Sequence, residues 1–165
     1  VTQNLGTVVY DVKAKYVRVL EFSKKSRRSY DQIDAFIPRI LQALRHYHEG
    51  VVLSDKEKSD ITLFVHRMSV VKIENRKLDA KLQALLFGAY QILGNIVESK
   101  HAKDRFIKIS HSVTNEWTEA LITLIFSVIT KDFTQLESIR INIEKLTPTS
   151  RFHHNLIDEY AYYCA

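Results

Sequence analysis

The stretch RKLDAKLQALLFGAYQILGNI, residues 76–96, decides the fold. Leu78, Leu82, Leu85, Ala89, Ile92 and Ile96 step 4-3-4-3-4, and Leu86 and Leu93 widen the stripe. Apolar residues at that spacing fall on one face of an α-helix and are incompatible with the two-residue period of a strand. The run predicts one helix from about Arg76 through Ile96, with Gly88 and Gly94 inside it as points of close packing. Its seam also fits a coiled coil, but three turns of heptad are what an ordinary bundle helix shows.

The same period continues on both sides. Upstream, Ile33, Phe36, Ile37, Ile40, Leu41, Leu44 and Tyr47 form a stripe that Gly50 should end. Asp31 and Asp34 are possible N-caps, and a start near Asp34 would place Pro38 in the first turn, where no helical donor is needed. Ser54-Asp55-Lys56-Glu57 reads as a capping box with Leu53 as its staple residue, followed by Ile61, Phe64, Val65, Met68 and Val71. Downstream, residues 99–112 read as a short helix or turn around Phe106, Ile107 and Ile109. Val113, Trp117, Ala120, Leu121, Leu124, Ile125 and Val128 are apolar round most of a helix, which predicts the central one. Thr134-Gln135-Leu136-Glu137 reads as a second capping box after Phe133, ahead of Ile139, Ile143 and Leu146. Leu156, Ile157, Tyr160, Ala161 and Tyr163 predict a last short helix. Residues 1–20 fit either period, and helix is favoured because a lone strand would lack a partner.

The expected fold is therefore all-α: a single-domain bundle of about five to seven mostly antiparallel helices over residues 1–165, with a short helical-repeat solenoid as the alternative. Composition agrees. Four Gly and two Pro in 165 residues are too few for the many turns of a sandwich or barrel. Neither a G-x-G-x-x-G nor a G-x-x-x-x-G-K-[ST] phosphate loop can be written with Gly6, Gly50, Gly88 and Gly94. Cys164 is the only cysteine, so an internal disulfide is excluded and a reducing, intracellular setting (cytoplasm or nucleus) is expected. No apolar run reaches the ~18 residues of a membrane span. The first residue is Val1, and the stretch reads as a domain excised from a longer protein.

Chemistry is sparse. His46 and His48 diverge on a helix, as do His153 and His154, so neither pair has the i, i+4 spacing that aims two imidazoles at one metal. Cys164 lies one residue from the end, a poor setting for a catalytic thiol. No serine sits in a G-x-S-x-G elbow. Glu116 and Glu119 flank Trp117 near a helix start, where negative charge is stabilising without any catalytic role. The expectation is no catalytic residue, no metal and no cofactor.

Charge is more informative. Residues 1–110 hold 20 Lys+Arg against 12 Asp+Glu, net +8, whereas residues 111–165 are net −3. Ser23-Lys24-Lys25-Ser26-Arg27-Arg28-Ser29-Tyr30 concentrates four cations. As a loop it could contact nucleic-acid phosphates through Lys24, Lys25, Arg27 and Arg28 while Tyr30 stacks on a base. It also suits a basophilic kinase, or serves only as a solvated linker. Lys100, Lys103, Arg105 and Lys108 form a second basic set, diluted by Glu98 and Asp104. The acidic, aromatic tail Asp158-Glu159-Tyr160-Ala161-Tyr162-Tyr163 offers Tyr160, Tyr162 and Tyr163 as partner contacts, with sealing of the bundle end the favoured role for Tyr160.

Ile37-Pro38-Arg39-Ile40-Leu41-Gln42-Ala43-Leu44, then Gly50, Leu53-Ser54 and the helix to Val65-His66-Arg67-Met68, resembles the helical domain shared by the steroid receptor RNA activator protein and the carboxy-terminal part of the outer COPII coat subunit. Trp117 with Leu121, Ile122 and Ile125 matches that family's later Trp and short apolar helix. The chain departs from the pattern after Gly50, where two Val precede Leu53-Ser54. It also has an insertion over residues 87–111 and no basic pair after the Trp. The resemblance implies a helical bundle used for interaction, without carrying over a coat or RNA role. The function expected is a non-enzymatic helical module that binds another protein as scaffold or adaptor in a larger assembly. The alternative is an RNA- or DNA-binding helical domain using residues 24–28.

Overall fold

The computed structural model of the chain describes residues 26–112 and 115–165, with side chains from Ile33 onward. The described residues form an all-α bundle of seven helices without a strand. They are α1 (Ser26–Glu49), α2 (Asp55–Met68), α3 (Arg76–Ile92), α4 (Ile96–Ser110), α5 (Glu116–Thr130), α6 (Leu136–Glu144) and α7 (Arg151–Cys164). The expectations for residues 1–20 and for Val113 lie outside the described residues.

α1 starts earlier than its caps suggested, which puts Pro38 inside the helix. Pro38 is exposed while Ile33, Ile37, Ile40, Leu41 and Leu44 are buried. The hydrogen bond it cannot make to the Asp34 carbonyl is thus lost on the solvent side, not in the core. Gly50 ends α1 at φ +73. Its amide bonds the Tyr47 carbonyl at 3.3 Å and the Val51 amide bonds that of His46 at 2.9 Å, a Schellman motif.

The first capping box forms. Ser54 Oγ accepts from the Glu57 amide, and Glu57 Oε1 accepts from the Ser54 amide, both at 3.1 Å. Glu57 Oε2 also meets His46 Nδ1 at 2.7 Å, fixing the α1–α2 corner. The second box does not form. The Thr134 amide and hydroxyl both turn back to Asp132 Oδ1, at 3.2 and 2.8 Å, and Glu137 pairs with Arg140. Gln135 becomes an N-cap without a side-chain bond. An Asx turn from Asp132 has won the competition for the Thr134 donors.

α3 is shorter than its seam. It stops at Ile92, where Gly94 adopts φ +84 and the Asn95 amide bonds the Tyr90 carbonyl at 2.8 Å. Ile96 then opens α4 and is exposed, so the stripe is a core stripe only as far as the chain turn. Gly88 packs closely as expected: a Cβ there would meet Ile125 Cγ2 at 3.1 Å. Of residues 99–112, read as a short helix or turn, 99–110 belong to a helix of 15 residues and 111–112 to the turn after it.

Two helices share the central position assigned to α5 alone. α3 packs on α1, α2, α4 and α5, while α5 packs on α1, α3, α6 and α7. The core between them holds Leu82, Leu85, Ala89, Leu121, Leu124 and Ile125, all essentially inaccessible. Asn115 Oδ1 caps α5 by accepting from the Trp117 and Thr118 amides.

Candidate protein interface

Two of the tyrosine tail's three contact candidates are turned inward. Tyr160 is completely buried, and its hydroxyl donates to the Ala120 carbonyl at 2.5 Å. This corrects its reading as a partner contact, because the residue seals α7 to α5. Burial pushes its phenol pKa upward, as it does for Tyr163. The Tyr163 ring packs against both His48 and Phe133, with centroids 5.2 and 5.9 Å away. Tyr162 reaches back to α1: its hydroxyl donates to Glu49 Oε2 at 2.7 Å and the Arg45 guanidinium lies 4.0 Å over its ring. The Glu49 hydrogen bond raises the Tyr162 pKa, and burial adds to it. Glu159 of the tail is paired likewise, since Arg45 Nε and Nη2 fork onto its two oxygens at 2.8 and 2.7 Å.

The cleft of about 460 Å³ between α1 and α7 is lined by Pro38, Arg45, His46, Glu49, Asp158 and Glu159. Arg45 neutralises Glu159 there, and Glu49 accepts from the Tyr162 hydroxyl. Among the described residues, no group of three or more His, Cys, Asp and Glu is placed to hold a metal ion.

Of the first basic set, Lys24 and Lys25 lie outside the described residues. Arg27, Arg28 and Tyr30 belong to the opening turns of α1 instead of a loop, which corrects their setting, and their side chains are not described. The second basic set is dispersed around α4. Arg105 turns to α3, where its Nη2 bonds Asp79 Oδ2 at 2.8 Å. Lys103 turns the other way, its Nζ 4.5 Å over the Phe126 ring of α5. Lys100 and Lys108 are exposed.

This arrangement follows from how α4 is held. Among the described helices it packs on α3 alone. Ala102, Phe106 and Ile109 supply the apolar contact, and Ser99 is buried with its hydroxyl donating to the Phe87 carbonyl at 3.0 Å. α5 packs on the same α3 from another side, so the two helices stand apart. A groove of about 310 Å³ remains between them, lined by Lys103, Phe106, Ile107, Ile122, Thr123 and Phe126 among others. Buried Phe87 of α3 stacks against Phe126 with centroids 6.2 Å apart. Ile107 and Phe126 are 44% and 40% exposed, so the walls present large apolar side chains to solvent.

Sequence reading found Ile107 and Lys103 but not the site. Phe126 was absorbed into an all-round apolar helix, and nothing in the spacing says which face a neighbour leaves uncovered. No described helix is long and apolar enough to cross a membrane. Comparison with protein-family models, with curated proteins and with solved structures gave no match to this chain.

Proposed function

We propose that the chain is a non-enzymatic helical interaction module, a scaffold or adaptor element, that docks a segment of another protein into the groove between α4 and α5. One observation carries the reading: Ile107 and Phe126 stand exposed on the two walls of a groove that buried Phe106 also lines. Concave apolar surface rimmed by polar groups is what partner side chains fill, whereas scattered single exposed apolar residues need no such explanation. Val52, with 83% exposure on the α1–α2 loop, is of the scattered kind.

A photo-crosslinking amino acid placed at Thr123, with Asp158 on the α1–α7 cleft as control, tests the proposal. The expected result is a protein cross-linked from position 123 and not from 158. Once purified, that protein should bind the wild-type chain and lose at least about tenfold in affinity to the Ile107→Ser, Phe126→Ser double variant, a fall of about 1.4 kcal/mol or more. The variant should keep the wild-type helical circular-dichroism spectrum at the assay temperature, with some loss of melting temperature because Phe126 also packs on Phe87 and Lys103. Equal binding to both chains, or cross-links confined to position 158, overturns the proposal.

A further inference from the structure

Resting on the groove just described as a docking site, we infer that its occupant is an acidic amphipathic helix of a partner protein. On α4, Ile96, Lys100, Lys103 and Ile107 fall within an arc of about 60° at 100° per residue. Two apolar residues thus bracket two lysines on the flank that turns towards α5. Neither lysine has a carboxylate partner among the described residues, and the Lys103 ammonium lies against the face of Phe126. The opposite wall offers Ile122, Thr123, Phe126 and Thr130. Its one lining carboxylate, Asp132, already accepts from the Thr134 amide and hydroxyl. Asp104, four residues after Lys100, lies about 40° beyond it round α4 but forms no ion pair with it, and Glu119 lies two turns before Phe126 on α5.

A helix laid along this groove would bury apolar residues at i, i+3 or i+4 between Ile107 and Phe126. Its Asp or Glu side chains on the flank would meet Lys100 and Lys103 and displace the Lys103 contact with Phe126. Charge also separates the possible occupants. Residues 1–25 of this chain carry five Lys+Arg against two Asp+Glu, and a second copy brings a net charge of +5. Both would meet the lysines with like charge. An anionic bilayer suits the lysines, but a bilayer engages a projecting apolar edge, whereas here Phe126 and Ile107 wall a recess that buried Phe106 also lines.

A displayed library of 16-residue helical peptides, randomised at every position and selected on the full chain, tests the inference. Selected peptides should carry net negative charge beside an apolar stripe. The best of them, made as a free peptide, should bind at least about tenfold more tightly than its Glu-to-Lys twin in fluorescence anisotropy. The Lys100→Glu, Lys103→Glu chain should reverse that preference. Neutral or basic winners that need Phe126 and Ile107 overturn the acidic class and leave the docking site standing. Winners that bind the Ile107→Ser, Phe126→Ser chain equally well, or no winners at all, overturn both. Self-association in sedimentation, or flotation with phosphatidylserine vesicles, overturns the inference if either is lost in that double variant, because it assigns the groove to a second copy or to lipid.

Discussion

α4 and α5 are both fifteen residues long, and both lean on α3. α5 is covered by four helices and has eight buried residues, including Trp117 and Thr118 at its start and Val128 near its end. α4 is covered by one helix and buries four residues, of which Ser99 is polar. Their sequences differ in the same sense: α5 has no charge after Glu119, whereas α4 has six charged residues in its fifteen. The number of neighbours, not helix length, separates a helix that holds the fold from one the fold displays.

The comparison can be broken most directly with one substitution made on each side. Ile125→Ala removes a completely buried side chain packed against Gly88, and urea unfolding should show a loss of about 2–5 kcal/mol. Ile107→Ala on α4 should stay within about 0.5 kcal/mol of wild type. Similar losses at both positions would mean that α4 is as integral to the core as α5. A smaller effect is expected at Tyr160, whose hydroxyl ties α7 to the α5 backbone at Ala120. Tyr160→Phe keeps the packing and should cost about 1 kcal/mol in the same measurement.

The smallest effect sharpens the α5 side through pH. His153 stacks on Trp117 with ring centroids 4.0 Å apart, and its Nδ1 accepts the Thr149 amide at 3.0 Å. Burial, then the positive charge of Lys81, holds its pKa below the ordinary imidazole value, with Asp34 opposing and His154 adding slightly. The unfolded chain therefore takes up this proton more readily than the folded one. The stabilisation is complete above the ordinary value of about 6.5 and is lost as pH falls below it towards the lowered folded value. The urea midpoint should fall between pH 7 and pH 5, with a shallower fall in His153→Gln. Equal slopes in the two proteins would remove His153 as the cause.

Much of the bundle was legible because its determinants are local. The stripe from Ile33 to Leu44, the Ser54–Glu57 box and the run from Leu121 to Val128 all sit where periodicity and capping chemistry put them. Errors fell where two local signals competed. Gly94 could be an internal helix glycine or a left-handed stop, and the Tyr90 and Gln91 carbonyls decide for the stop. Thr134 could cap α6 or fold back on Asp132, and it folds back. The groove was less legible for a different reason. Apolar residues at 106, 107 and 109 predict an amphipathic helix whichever face is covered. Which of them lies open depends on where α3 places α4 relative to α5. The residues that carry the family resemblance, from Ile37 to Leu44 with Gly50 and Ser54, are core, stop and cap positions. They report a bundle and are silent about its surface.

The Arg45–Glu159 fork joins residues 114 positions apart. During synthesis α1 leaves the ribosome before the other six helices, yet one of its neighbours, α7, emerges after all of them. Until then the α1 surface that meets α7 has no native cover, and loop closure over this span comes late in folding. Nascent chains stalled before Arg151 should therefore be the ones that chaperones hold longest.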